Sequence, residues 1–231
     1  VDASTRHHLA EVLWHRGATD EALLQMEAAA RLDDSDASLM VRSGEMLLAT
    51  GQTERALARS EEAIRLNPKL ATAWALRGRV HAKLGETDRA LADLQRSLQY
   101  SPDNSDTLMD VAALYRQRGQ HDRCLTTLHH LLDTYPAGEE PQLALWMEGL
   151  ALSDLGRPHQ AAARLAAASE KVEPNADILY YLAQAEWASG RPDAAATAAQ
   201  QALVANPAHE PTQRLLVEIA RPPASPGSAV R

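Results

Sequence analysis

The chain has 231 residues, 45% hydrophobic and 23% charged, yet only 4% aromatic and without a single Phe. Alanine supplies much of the apolar content, which favours closely packed helices over a sheet. A net charge of −8 with no basic block argues against a nucleic-acid groove, and no apolar run approaches the ~20 residues of a bilayer-spanning helix.

Helical periodicity begins at Ala3 in "ASTRHHLAEVLWH" and is broken at Gly17, after which it resumes through "TDEALLQMEAAARL". The same alternation continues along the chain, with turn glycines at Gly17, Gly51, Gly85, Gly119, Gly156 and Gly190, in steps of 34, 34, 34, 37 and 34 residues. Each glycine is expected to take the positive φ that ends one helix and frees the next. A period held over six units predicts helical hairpins in series, an α-solenoid. The second helix of each hairpin opens with suitable chemistry: Asp20, Glu54, Asp88, Asp122 and Asp193 put a carboxylate in the first turn, and Pro158 and Pro192 supply a first-turn proline. The longer fourth step comes from "YPAGEEPQ", Tyr135 to Gln142, read as a longer loop or a slight break in the array. After Pro207, "AHEPTQRLLVEIA" has one apolar face and no partner helix, which predicts a cap. The tail "RPPASPGSAVR" has three prolines and almost nothing to bury, and is expected to be disordered from about Arg221.

Two columns describe how the hairpins pack. Midway along each first helix stands a residue without bulk, Ala10, Gly44, Gly78, Ala112, Gly149 and Ala183, where two backbones are expected to meet. Early in each second helix stand Ala22, Ala56, Ala90, Cys124, Ala161 and Ala195, with Met26, Leu94, Leu128 or Leu165 one turn later to fill the space. Cys124 thus reads as a small buried hydrophobe rather than a nucleophile or metal ligand. As the lone cysteine it cannot form an internal disulfide, and it leaves the compartment open, with the cytoplasm as the default. The chain opens at Val1 directly into helical pattern, so further sequence, with any targeting segment or domain, is expected ahead of it.

These columns resemble the tetratricopeptide repeat, a 34-residue pattern of Trp, Leu-Gly, Tyr, then Ala, a bulky apolar residue and a closing Pro. The match is close in "WALRGRVHAKLGETDRALADLQRSLQYSP", where Trp74, Gly78, Gly85, Ala90, Leu94 and Pro102 occupy signature positions. The resemblance implies an all-α, right-handed α-solenoid of about six hairpins. Its domain covers residues 1–220, with units at about 3–36, 37–70, 71–104, 105–141, 142–175 and 176–207, a cap at 208–220 and a tail at 221–231. Departures from the pattern are expected to weaken individual contacts: Arg77 and Glu148 stand for Leu, His81 and Glu186 for Tyr, and the first unit ends "RLDDSD" without its proline.

No phosphate loop, nucleophile elbow, paired-Cys set or HExxH segment is present, so neither enzyme chemistry nor a cofactor is expected. His7, Glu11 and His15 share a helical face, but the outer pair lie ~12 Å apart along the axis, too far to share one metal ion. His129 and His130 read as amphipathic padding. The resemblance instead implies a concave groove lined by first-helix residues, which would bind a protein or an extended peptide segment. In the N-terminal half these positions hold His7, His8, Glu11, His15, Arg42, Glu45, Arg79, Lys83 and Arg116, a mixed surface with some positive excess. In the C-terminal half they hold Trp146, Met147, Leu150, Tyr180, Tyr181, Gln184 and Trp187, with Asp154 and Asp177. Two readings of the aromatic set stand: packing against the neighbouring first helix or the cap, or an anchor surface for a partner. Trp146 and Tyr180 occupy equivalent positions and are expected to stand side by side. The family's chaperone-tail binders hold a C-terminal carboxylate with Lys, Arg and Asn, whereas Val41, Glu45, Leu76, Asp106 and Asp110 stand in the corresponding window, which excludes that partner class. The other reading of function is a regulatory or substrate-docking array of a larger enzyme such as a transferase. Oligomeric state is left open.

Overall fold

The computed structural model describes residues 2–171 and 175–220; the expected tail at 221–231 lies outside the described residues. Among these the chain is all α, an α-solenoid built from helical hairpins. Its helices are α1 (Ala3–His15), α2 (Thr19–Leu32), α3 (Ala37–Ala49), α4 (Thr53–Leu66), α5 (Ala71–Lys83), α6 (Thr87–Tyr100), α7 (Ser105–Gln117), α8 (His121–Leu132), α9 (Gln142–Asp154), α10 (Pro158–Ser169), α11 (Ala176–Ala188), α12 (Pro192–Ala205) and α13 (Glu210–Ile219). Two compact units divide the chain within α7, one running through Leu114 and the other starting at Tyr115.

The six periodic glycines all have positive φ. At Gly51, with φ +78°, the Gln52 N–H donates to the Leu47 carbonyl at 2.8 Å and the Gly51 N–H to that of Leu48 at 3.0 Å. This is the paired closure that satisfies the last carbonyls of a helix and needs a left-handed residue. Side chains cap four of the first helices, whereas α5 and α9 start without one. Asp2, Asp36 and Asn175 cap α1, α3 and α11 by accepting from backbone N–H groups inside the first turn, and Asn104 Oδ1 accepts from Thr107 N at 2.9 Å at the start of α7. The second helices α2, α4, α6, α8, α10 and α12 lack a side-chain cap. Their first-turn acids and prolines take over that role.

Every residue of both small-residue columns is buried. A Cβ placed at Gly78 would meet Leu94 Cγ at 2.7 Å, and one at Gly149 would meet Leu165 Cγ at 2.5 Å, so the bulky residue of the second helix fills the notch in the first. In the second hairpin Ser60 replaces that residue, and Leu76 from α5 enters instead, its Cδ2 2.5 Å from the Cβ position of Gly44. Cys124 is fully buried, and burial pushes its thiol up to about 11. Because the folded-state value lies above the ordinary one near 9, the neutral thiol favours folding at lower pH, and that contribution fades as pH rises from about 9 to about 11. In the native protein Cys124 should react with a thiol reagent far more slowly than in urea. Equal rates would remove it from the core.

The charged departures from the repeat pattern face polar or charged neighbours. Arg77 pairs with Asp93 through Nε–Oδ2 at 2.7 Å and NH2–Oδ1 at 2.8 Å, and His81 Nδ1 lies 2.7 Å from Glu86 Oε2. Glu148, 1% exposed, has Oε1 3.0 Å from His129 Nε2 and Oε2 3.1 Å from Arg164 Nε. Glu186 faces Arg191 at 2.6 Å. Each of these side chains lies against a polar or oppositely charged group, although Glu148 Oε2 and Glu186 Oε2 lack a hydrogen bond of good geometry among the described residues, and His129 is a partner of a buried acid rather than padding. The long loop after α8 is likewise tied down: Lys171 Nζ donates to Gly138 O at 2.6 Å and Glu140 Oε2 at 3.0 Å, which holds the Glu140 carboxyl down to about 2.

Candidate partner-binding face

The first helices carry the residues that the hairpins do not use for their own closure. In the first unit these are charges, joined between consecutive first helices. Glu11 of α1 receives Arg42 of α3 in a two-pronged pair, Nε–Oε1 2.6 Å and NH2–Oε2 2.8 Å, and Arg42 NH1 reaches Glu45 at 3.1 Å. Hydrogen bonding to Arg42 lowers the Glu11 pKa and that to Glu11 raises the pKa of Arg42. Arg79 of α5 repeats the arrangement with Asp110 of α7, Nε–Oδ2 2.5 Å. Burial raises the Asp110 pKa, opposed by Arg79. In the second unit Arg116 meets Asp154 at 3.1 Å.

Arg42, Arg79 and Arg116 are therefore paired cations within this mixed surface. Lys83 is exposed. His7 Nε2 lies 3.5 Å from Glu11 Oε1, and that carboxylate is already engaged by Arg42. Among the described residues no group of three His, Cys, Asp or Glu side chains could hold a metal ion.

The two positions that hold Glu11 with Arg42, and Arg79 with Asp110, are occupied in α9 and α11 by Leu150 and Tyr181. Here the face turns aromatic. Trp146 lies 6.4 Å from Tyr181 between ring centroids, Tyr181 5.2 Å from Tyr180, and Tyr180 5.5 Å from His209 in an edge arrangement. Gln184 Nε2 donates to the Tyr180 hydroxyl at 2.7 Å. His209 joins this row from the segment leading into α13, with Nε2 3.1 Å from Asp177 Oδ1 and Nδ1 2.6 Å from Thr212 Oγ1. Burial raises the Tyr180 pKa, and the neighbouring Tyr181 adds to it.

Trp146 does not pair directly with Tyr180 as its register implied; Tyr181 stands between them. It also packs on the cluster of Leu145, Ala168 and Ile178, with its Nε1 buried and unpartnered among the described residues. Trp146 thus has a core-facing edge. Met147, Leu150, Tyr180, Tyr181 and Trp187 are half-buried, and Gln184 is exposed. His209 stands at the repeat position of Asp36, Leu70 and Asn104, just ahead of a helix, but nothing in that position signals a ring contact with Tyr180.

A series of hairpins closed by positive-φ glycines, each with a small residue opposite a bulky one, defines a helical-repeat protein. Tetratricopeptide repeat models match residues 3–27, 44–109, 81–145 and 147–211. The chain belongs to the tetratricopeptide repeat family. Among solved structures, it is similar to PilF of Pseudomonas aeruginosa, with 15% identity over 94% of this chain and 97% of that one and a TM-score of 0.81. It is also similar to PilW, described as a widely conserved type IV pilus biogenesis factor, with 18% identity, coverage of 93% and 98% and a TM-score of 0.80. YrrB, described as a TPR protein with an unusual peptide-binding site, shares 20% identity over 82% of this chain and 96% of that one, with a TM-score of 0.69. No curated protein sequence matches the chain significantly.

Proposed function

We propose that this protein is a non-enzymatic scaffold that binds a protein or an extended peptide segment on its first-helix face. The anchor is the aromatic row of the second unit, with Trp146, Met147, Leu150, Tyr180, Tyr181, Gln184 and Trp187. Arg116 supplies polar character on the first-helix face of the same unit, and Arg42, Arg79 and Lys83 do so on that of the first unit. The observation that carries this reading is the run of ring contacts from Trp146 through Tyr181 and Tyr180 to His209. Aromatic side chains in a polar setting dominate binding energy in protein recognition. That similar folds occur in a protein with a peptide-binding site and in a type IV pilus biogenesis factor accords with such a role.

The test uses Tyr180→Ala with Tyr181→Ala, leaving Trp146 to its packing. Proteins retained by the natural chain should lose affinity at least tenfold, since a central aromatic anchor contributes ~2 kcal/mol or more. The circular dichroism and unfolding midpoint should change little. Unaltered affinity in the folded double variant would move the binding surface elsewhere. Lys83→Ala should alter mainly the association rate and its salt dependence.

A further inference from the structure

We propose that the segment bound by this face is basic: a stretch of peptide with a Lys or Arg on either side of an apolar residue, seated on the first helices α9, α11 and α13. This rests on reading the aromatic row as an anchor surface, and it names what that anchor holds. Register lays out the floor. Leu143, Met147 and Leu150 fall at i, i+4 and i+7 along α9, with Leu143 53% exposed and the other two half-buried. Asp177, Tyr181 and Gln184 hold the same positions on α11, and Pro211, Leu215 and Glu218 hold them on α13, which packs on both α11 and α12. An apolar side chain of the peptide is received by the α9 stripe and by the tyrosines, whose ring centroids are 5.2 Å apart.

Charge selects the rest of the segment. Asp177 lies one helical turn ahead of Tyr181, and Glu218 lies one turn beyond Leu215, so an acid stands toward each end of the row. Both are open to solvent: Glu218 is exposed, and the Asp177 side chain is 61% exposed. Other acids of the first-helix faces are answered by arginines of this chain, Glu11 and Glu45 by Arg42, Asp110 by Arg79 and Asp154 by Arg116. Asp177 meets the His209 ring at 3.1 Å, and among the described residues neither it nor Glu218 faces a Lys or Arg. Arg214, at the Tyr180 position on α13, is engaged by Glu210 at 2.8 Å. Residues 142–220 hold nine acids and five Lys and Arg, so a basic segment is drawn to this region and an acidic one is repelled. A cation beside Asp177 also gains from the neighbouring tyrosine rings.

A phage-displayed library of random linear peptides, panned on the full chain, reads this preference directly. Retained peptides should carry Lys and Arg in excess of Asp and Glu, relative to the input library. In Asp177→Asn with Glu218→Gln that excess should disappear. By fluorescence anisotropy, peptides selected on the natural chain should bind the variant roughly two- to fivefold more weakly for each acid removed, the size of an exposed ion pair. Asp177→Asn keeps an acceptor for His209, and Glu218→Gln alone leaves that contact untouched and should remove part of the excess. Retained peptides without a basic excess, or rich in acids, would overturn the proposal; their loss in Tyr180→Ala with Tyr181→Ala would still leave the rings as the anchor. A basic excess that survives both neutralisations would also overturn it, by placing the selecting charge elsewhere. If no peptide is retained, or retention is indifferent to the tyrosine substitutions, the anchor reading falls and this proposal falls with it.

Discussion

Gly149→Ala is expected to destabilise the protein by roughly 1–3 kcal/mol, a large effect for one added methyl group on a helix where alanine is otherwise the better former. The cause is the distance across the hairpin. The new Cβ would stand 2.5 Å from Leu165 Cγ, 2.9 Å from Cδ2 and 3.3 Å from Cδ1, so the whole leucine head must move. Leu165 is fully buried and has nowhere open to go. The cost should therefore be coupled to that side chain. In Gly149→Ala with Leu165→Ala, the loss should fall below the sum of the two single losses by at least ~0.5 kcal/mol, read from urea unfolding. Gly78 offers a contrast. There the added Cβ meets Leu94 Cγ at 2.7 Å and also the backbone carbonyl of Ala90 at 3.1 Å, which no side-chain truncation removes. Leu94→Ala should rescue Gly78→Ala less well. Additive losses at Gly149 would mean that the helices part there rather than press on Leu165.

The same residues show what was legible in the sequence. Turn glycines and small-residue columns could be read because each has one physical solution: only glycine takes positive φ freely, and only a residue without bulk lets two helices close on each other. Charges were harder to read. Glu11 and Arg42 are 31 residues apart, as are Arg79 and Asp110, a spacing that becomes a contact only once consecutive first helices are laid side by side. Opposite charges recurring at 31 within a 34-residue repeat were the available signal. Of the aromatic face, the membership of Trp146, Tyr180 and Tyr181 followed from register. Their order in space did not, because it depends on which way each ring turns. Tyr181 comes between the other two, and Trp146 turns its nitrogen edge inward.

Arg77 and Glu148 occupy the same repeat position, and so do Asp93 and Arg164, which makes the two ion pairs one arrangement with its charges reversed. The third members reverse as well. Glu61 contributes to the raised pKa of Arg77, and its equivalent, His129, lies 3.0 Å from Glu148. Glu148→Arg alone should therefore cost about 3–5 kcal/mol, because it leaves a buried cation facing Arg164 and His129 with no acid to receive it. Adding Arg164→Asp rebuilds the arrangement of Arg77 with Asp93 and should recover most of that loss. Adding His129→Glu, to match Glu61, should recover more. The order matters to the argument: Arg164→Asp on its own sets a second carboxylate beside Glu148 and should destabilise, yet in the Glu148→Arg background the same substitution should stabilise. Urea midpoints of the four chains measure this change of sign. If Arg164→Asp destabilises in both backgrounds, the pair is held by its local surroundings, and the repeat position does not carry a transferable ion pair.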